Sequence, residues 1–211
     1  MTNRPQSTVN NNLLLDVEEA SRAWRLASAP SLSERYVAGE GDNPRVMLIG
    51  EAPGAQEDIR LRPFVGPAGR VLRELMDIAG IYTGFTPQFG EANCWLTNVL
   101  KHRPPRNRKP FEPEIEAMRP LLRKEWTAVG KPRVIIPVGG VALRAVLGSW
   151  VSVTKVSGKP MLKRSDGLNG LLVAVWPMIH PSYALRNKGI QPVVERDWER
   201  LGDWLANDPH T

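Results

Sequence analysis

Between Val46 and Gly66 the chain passes from the apolar run Val46-Met47-Leu48-Ile49 into Gly50-Glu51-Ala52-Pro53-Gly54. After the acidic pair Glu57-Asp58 it reaches Arg62-Pro63-Phe64-Val65-Gly66. An uninterrupted apolar run suits a strand buried on both faces, as in a parallel sheet covered by helices. Two glycines and a proline then impose a turn that neither helix nor strand continues, which directs backbone N–H groups into the space above the strand end. In open parallel sheets that space is where ligands bind. Phe64, between Pro63 and Val65 and ahead of a Gly-Pro turn, sets a flat ring on a stiff loop facing the same space. A planar ligand could stack there.

The rest of the chain repeats the alternation of strand and helix. Residues 1–12 are polar, with Pro5 and three consecutive asparagines, and read as a disordered tail. Leu13, Leu14, Val17, Ala20, Trp24 and Ala27 recur at helical spacing, and this helix is expected to pack against the sheet. Ser31 to Pro44 reads as a polar connection. Ala68, Val71, Leu72, Leu75 and Met76 form the apolar face of a helix stopped by Gly80. A second strand runs from Cys94 to Leu100 and carries Asn98 near its carboxyl end. A helix from Pro113 to Val129 follows, then a strand over Arg133–Val138, a short helix after Gly139-Gly140, and a basic, irregular stretch from Trp150 to Ser165. Leu171–Trp176 reads as the fourth strand, His180-Pro181-Ser182 follows its end, and a last helix spans Val193 to Ala206. Four strands alternating with helices predict an α/β fold in which helices cover both faces of a parallel sheet.

Bulk properties narrow the class. The 211 residues are enough for one well-buried domain, expected over residues 13–211. The formal charge of +6 favours a polyanionic partner, and nucleic acid leads that class. The sole cysteine, Cys94, excludes an intramolecular disulfide framework, and there is no apolar stretch long enough to span a bilayer. A cytoplasmic monomer without membrane contact is the expectation. Lys101-His102-Arg103-Pro104-Pro105-Arg106-Asn107-Arg108-Lys109 places five cations in nine residues beside the pocket, where phosphate contact is the natural use.

Taken in order, Gly50-Glu51-Ala52-Pro53-Gly54-x-x-Glu57-Asp58, Arg62-Pro63-Phe64-Val65-Gly66, Thr97-Asn98-Val99-Leu100-Lys101-x-Arg103-Pro104-Pro105-x-Asn107-Arg108 and His180-Pro181-Ser182 resemble the uracil-DNA glycosylase superfamily, in the form carried by its family 4. The resemblance runs from about Trp24 to Trp204. It implies a three-layer αβα sandwich around a four-stranded parallel sheet, and hydrolysis of the N-glycosidic bond of uracil in single- or double-stranded DNA after the base is flipped out of the stack. An abasic site would remain.

By the same resemblance, uracil would be bound by Gly50, Glu51, Ala52, Gly54, Phe64, Asn98 and His180. Phe64 would stack on the base and the Asn98 amide would read its O4 and N3. An amide both donates and accepts, so it matches uracil and mismatches cytosine. His180 would donate to uracil O2 as negative charge collects on the leaving ring. Ala52 stands where the better-known family 1 has an aspartate, so Glu51 and Glu57 are the carboxylates left to guide water or stabilise the sugar cation. The contacts to DNA would come from Lys101, Arg103, Arg106, Asn107, Arg108, Ser182, Leu185 and Arg186. Of these, Leu185 would be a wedge filling the gap left by the flipped base.

Two other function classes fit the motifs: a glycosylase or base-exchange enzyme acting on a modified pyrimidine, and a catalytically silent module that binds uracil-containing DNA. Some superfamily members hold the abasic sugar covalently through a histidine in an extra loop after the second strand; residues 106–111 carry none, so turnover is expected. Family 4 members resemble one another in a four-cysteine iron–sulfur cluster. Here Ser21, Trp24, His102 and Met118 fall near the ligand positions, and one cysteine cannot supply four thiolates. No cofactor and no metal is expected, with Trp24 and Met118 filling the place by apolar packing.

Overall fold

A computed structural model describes residues 9–42, 44–81, 94–164 and 172–207. The helices are α1 (Asn11–Ser28), α2 (Ala55–Arg60), α3 (Pro67–Ile78), α4 (Glu112–Ala128), α5 (Gly140–Leu147), α6 (Val153–Val156), α7 (Pro181–Arg186) and α8 (Gln191–Asn207). The strands are β1 (Val46–Gly50), β2 (Cys94–Asn98), β3 (Val134–Pro137), β4 (Met161–Arg164) and β5 (Leu172–Val175). The order across the sheet is β2-β1-β3-β5-β4. The pairs β1–β2, β1–β3 and β3–β5 are parallel, and β4 runs antiparallel to β5, with Met161 opposite Val175.

The four-stranded parallel sheet expected from the sequence is therefore corrected, among the described residues, to five strands with an antiparallel edge. Met161-Leu162-Lys163-Arg164 has no period-two apolar pattern because an edge strand needs one partner and little burial; Leu162 is 76% exposed. The carboxyl end of the sheet also holds a helix, α2, directly after Gly54, where the sequence reads only as loop. Glu57 makes it possible by accepting from the Gly54 N–H at 3.1 Å, as in a capping box.

The alternation of side chains along each strand divides the core in two. Leu48, Leu96, Ile136 and Trp176 face Leu72, Met76, Trp198 and Leu201 of α3 and α8. Met47, Trp95, Ile135 and Val173 face Ile115, Met118, Leu122 and Ala142 of α4 and α5. Three layers result, as expected. Helix α1 departs from expectation, because it packs on α4 and not on the sheet. It starts at Asn11, where the Asn10 side chain accepts from the Leu13 N–H at 3.2 Å and the Asn10 N–H donates to the Ala128 carbonyl at 2.6 Å. Asn10, Asn11 and Asn12 thus belong to the helix and its cap, and residues 1–8 of the expected tail lie outside the described residues.

The connection before β1 is less polar in use than in composition. Leu32, Tyr36 and Val37 are buried, and Glu40 exchanges two backbone hydrogen bonds with Leu96, at 2.9 and 2.8 Å. That pairing blunts the free edge of β2. Among the described residues no helix is long and apolar enough to cross a membrane.

Candidate active site

The carboxyl ends of β1, β2 and β3, with the chain after β5, surround a cavity of about 670 Å³. Gly50 and Asn98 are direct partners across β1 and β2. A Cβ on Gly50 would lie 2.3 Å from Phe64 Cζ and 2.4 Å from Asn98 Oδ1, so only glycine lets the ring and the amide converge over the strand end. Phe64 itself takes φ +53°, a left-handed conformation uncommon for a bulky residue.

Glu57 holds that conformation in place. Its Oε1 accepts from the Val65 and Gly66 N–H groups at 2.8 and 2.6 Å, while Oε2 accepts from Gly54. One carboxylate therefore ties the β1 turn to the Phe64 loop. Both oxygens of Glu57, expected from the sequence as a possible guide for water, are engaged by backbone amides, and they hold the Phe64 ring in position. Glu51 is different. Among the described residues no hydrogen bond occupies its carboxylate, it lines the cavity, and burial raises its pKa against a smaller opposing pull from Lys109. A desolvated carboxylate beside a cavity is a candidate base.

His180 caps α7. The Ser182 N–H donates to Nδ1 at 3.2 Å, and the Ser182 hydroxyl is 2.8 Å from the same nitrogen. An Nδ1 that accepts leaves the ring proton on Nε2. Burial, with a smaller contribution from Arg186, pushes the His180 pKa down to about 4, so the ring is neutral at physiological pH. Gly139, at φ +93°, brings the start of α5 against it; a Cβ there would be 3.2 Å from His180 Cβ.

Of the expected base-binding residues, Glu51, Ala52, Gly54, Phe64, Asn98 and His180 line the cavity, with Gly50 forming the floor beneath Phe64 and Asn98. Of the expected DNA contacts, Asn107, Arg108, Ser182 and Arg186 line it too. Leu185 is 49% exposed on α7 and Arg106 is exposed at φ +53°. Arg103 Nε donates to Asn107 Oδ1 at 2.7 Å, which braces the basic loop, and Arg108 forks onto Glu114 at 2.8 and 2.6 Å.

Lys101 is a correction. Only 1% of its side chain is exposed, and Nζ pairs with Glu125 at 2.6 Å and with the Thr97 hydroxyl. Glu125 also accepts from Trp95 Nε1 and Thr97 Oγ1, each at 2.9 Å. A buried ammonium with a carboxylate partner does not meet phosphate. Lys109 of the basic run lines the cavity as well, and residues missed in the sequence include Tyr183, also cavity-lining, and Val153 and Thr154 of α6. Lys109 was legible as a cation of the basic run, whereas a four-residue helix left no periodic signal.

The positions implied as cluster ligands do not fit an iron–sulfur group. Ser21 Oγ lies 3.9 Å from Met118 Sδ in a buried contact between α1 and α4, and Trp24 packs half-buried on the same core. His102 Nδ1 meets the Ser33 and Arg35 carbonyls at 3.1 and 2.9 Å, and burial lowers its pKa. A hydroxyl, a thioether, an indole and a backbone-bonded imidazole are not a thiolate set. Cys94 belongs to the core on the other face of the sheet from Met118. Among the described residues no group of three or more His, Cys, Asp or Glu is arranged to hold a metal ion.

Comparison with known proteins gives the same frame. Residues 38–202 match the model of the Uracil DNA glycosylase superfamily. A type-4 uracil-DNA glycosylase of Saccharolobus solfataricus is 35% identical over 181 residues, 83% of this chain and 78% of its own length. That of Thermotoga maritima is 36% identical, over 82% of this chain and 84% of the relative, and that of Archaeoglobus fulgidus 30% identical over 89% and 91%. The chain belongs to the uracil DNA glycosylase superfamily, within which it is similar to the type-4 enzymes.

Proposed function

We propose that the chain is a monofunctional DNA glycosylase that hydrolyses the N-glycosidic bond of uracil in DNA and leaves an abasic site. The observation that carries this reading is the pairing of a neutral His180, protonated on Nε2, with an unengaged, desolvated Glu51 in a cavity that also holds Phe64 and Asn98.

The base leaves the stack because the reacting bond is unreachable inside it. Phe64 takes the ring on its face, and the Asn98 amide donates to O4 and accepts from N3–H. As the C1′–N1 bond breaks, its electron pair passes to the uracil ring, and the His180 Nε2–H stabilises the resulting anion at O2. A neutral donor suits this step because no proton has to leave it. Water adds to C1′ and gives its proton to Glu51; that proton then passes through solvent to the uracil anion, so the carboxylate is restored and free uracil and the abasic sugar are the products. Stabilisation of separated charge in a water-poor cavity supplies most of the rate.

Incubation with a labelled uracil-containing oligonucleotide, then alkaline cleavage, tests the reading. Alkali-labile sites should form with turnover in excess substrate. If none form at stoichiometric enzyme on single- or double-stranded substrate, the chain is a binding module.

A further inference from the structure

We propose that Phe111 and Trp150 form a stacking platform for the unpaired nucleotides next to the one whose base enters the cavity, so that single-stranded DNA is the preferred partner of this face. The inference rests on the reading of the cavity as a base-binding site, though its test does not.

Of the seven tryptophans, Trp150 alone is exposed, at 52%; Phe111 is 59% exposed. Both rings are held by their own neighbours. Trp150 Nε1 donates to Glu112 Oε2 at 3.1 Å, and Lys109 Nζ stands 4.5 Å from its ring centroid. Arg108 lies 3.9 Å over the Phe111 ring and is fixed in turn by its fork onto Glu114. Rings ordered before binding lose little freedom when a base lands on them.

The platform is continuous with the cavity, because Arg108 and Lys109 line its wall and carry the two rings beyond it. Charge fits as well: Arg106, Arg108 and Lys109 bring cations to the same edge, suited to a phosphate backbone. Aromatic faces beside a cationic track are how proteins hold single strands without reading sequence. In a duplex the neighbouring bases stack on each other and offer no free face, so the rings add affinity only where the strand is unpaired.

The test uses uracil-free oligothymidylate and a uracil-free duplex of equal length, so its outcome is independent of whether the chain releases uracil. Phe111→Ala and Trp150→Ala should each weaken single-strand binding by about 5- to 100-fold, from the usual contribution of one stacked base. Duplex binding should stay within about twofold, and the slope of log affinity against log salt should not change. Trp150→Phe should retain most single-strand affinity, and single strands should quench tryptophan emission in the native chain but not in that variant. Equal losses on single strands and duplex, or no loss on single strands, would overturn the proposal.

Discussion

At the scale of single residues, burial pushes two cavity-lining groups toward their uncharged forms, a base downward in pKa and an acid upward. His180 is kept neutral by burial, so its protonation is not what limits activity until the pH nears about 4. Glu51 is kept from ionising easily, also by burial, and its pKa lies above the ordinary carboxylate value. The acid limb of kcat/KM should therefore belong to Glu51, with activity lost as pH falls through its raised pKa. Glu51→Gln should lower the rate and abolish that limb, measured in single-turnover kinetics across pH. Stability should move the other way. A carboxylate whose folded pKa is raised binds more protons folded than unfolded, so stability declines as pH rises from the ordinary carboxylate value through the raised one. Glu51→Gln should raise the melting temperature at neutral pH and match the native chain under acid conditions where both are uncharged. Glu57→Gln is the control. It should loosen the Phe64 loop, raising KM and lowering melting temperature, but leave the acid limb in place. His180→Ala removes one anion-stabilising donor and should slow the chemical step by about 10²–10³-fold with little change in substrate affinity. An unchanged single-turnover rate in that variant would remove His180 from the mechanism.

At the scale of elements, β2 and the basic loop after it carry different duties on neighbouring residues. Asn98 faces the cavity, while Trp95, Thr97 and Lys101 converge on Glu125 of α4. Removing one partner of a buried pair strands the other charge, so Lys101→Met should cost about 3–5 kcal/mol in denaturant unfolding. Replacing Glu125 by Gln in the same chain should recover part of that loss. Neither change should alter the salt slope of DNA binding, whereas Arg106→Ala, on the exposed bend, should lower it by about one. An Arg106→Ala slope equal to the native one would return the loop to an ordinary solvated surface. Composition alone could not separate these cations. Lys101 and Arg106 look alike in the run from Lys101 to Lys109, and only the pairing of Lys101 with Glu125 shows that it lies on the α4 side. The same limit hid β4, whose edge position demands no apolar alternation, and the burial of Leu32, Tyr36 and Val37, which pack without periodicity. Strands β1, β2, β3 and β5 were legible because burial on both faces leaves an apolar run that nothing else in the chain imitates. Phe64, Asn98 and His180 were legible because they sit in motifs at strand ends. The competition between Glu51 and Glu57 was not, since it turns on which carboxylate the backbone amides capture.

At the scale of the whole molecule, α1 is joined to α4 by packing around Met118. The sequence resemblance to family 4 implies cluster ligands near these positions; here Met118 is 1% exposed, Ser21 is fully buried against it, and Trp24 covers the same core. Hydrophobic contact thus ties the first helix to the rest of the chain. If that packing replaces the cluster as a staple, removing it should be felt as a core deletion. Met118→Ala should destabilise by about 2–5 kcal/mol, the range for a large side chain truncated in a well-packed interior. Chelators should change neither the melting temperature nor the release of uracil, because no thiolate set exists to lose iron. The purified protein should be colourless, with no charge-transfer absorption in the visible. Stoichiometric iron with labile sulfide in the purified chain would contradict this account, since Cys94 is buried on the opposite face of the sheet, its thiol pushed up to about 12 by burial, and could not supply a cluster at the α1–α4 junction.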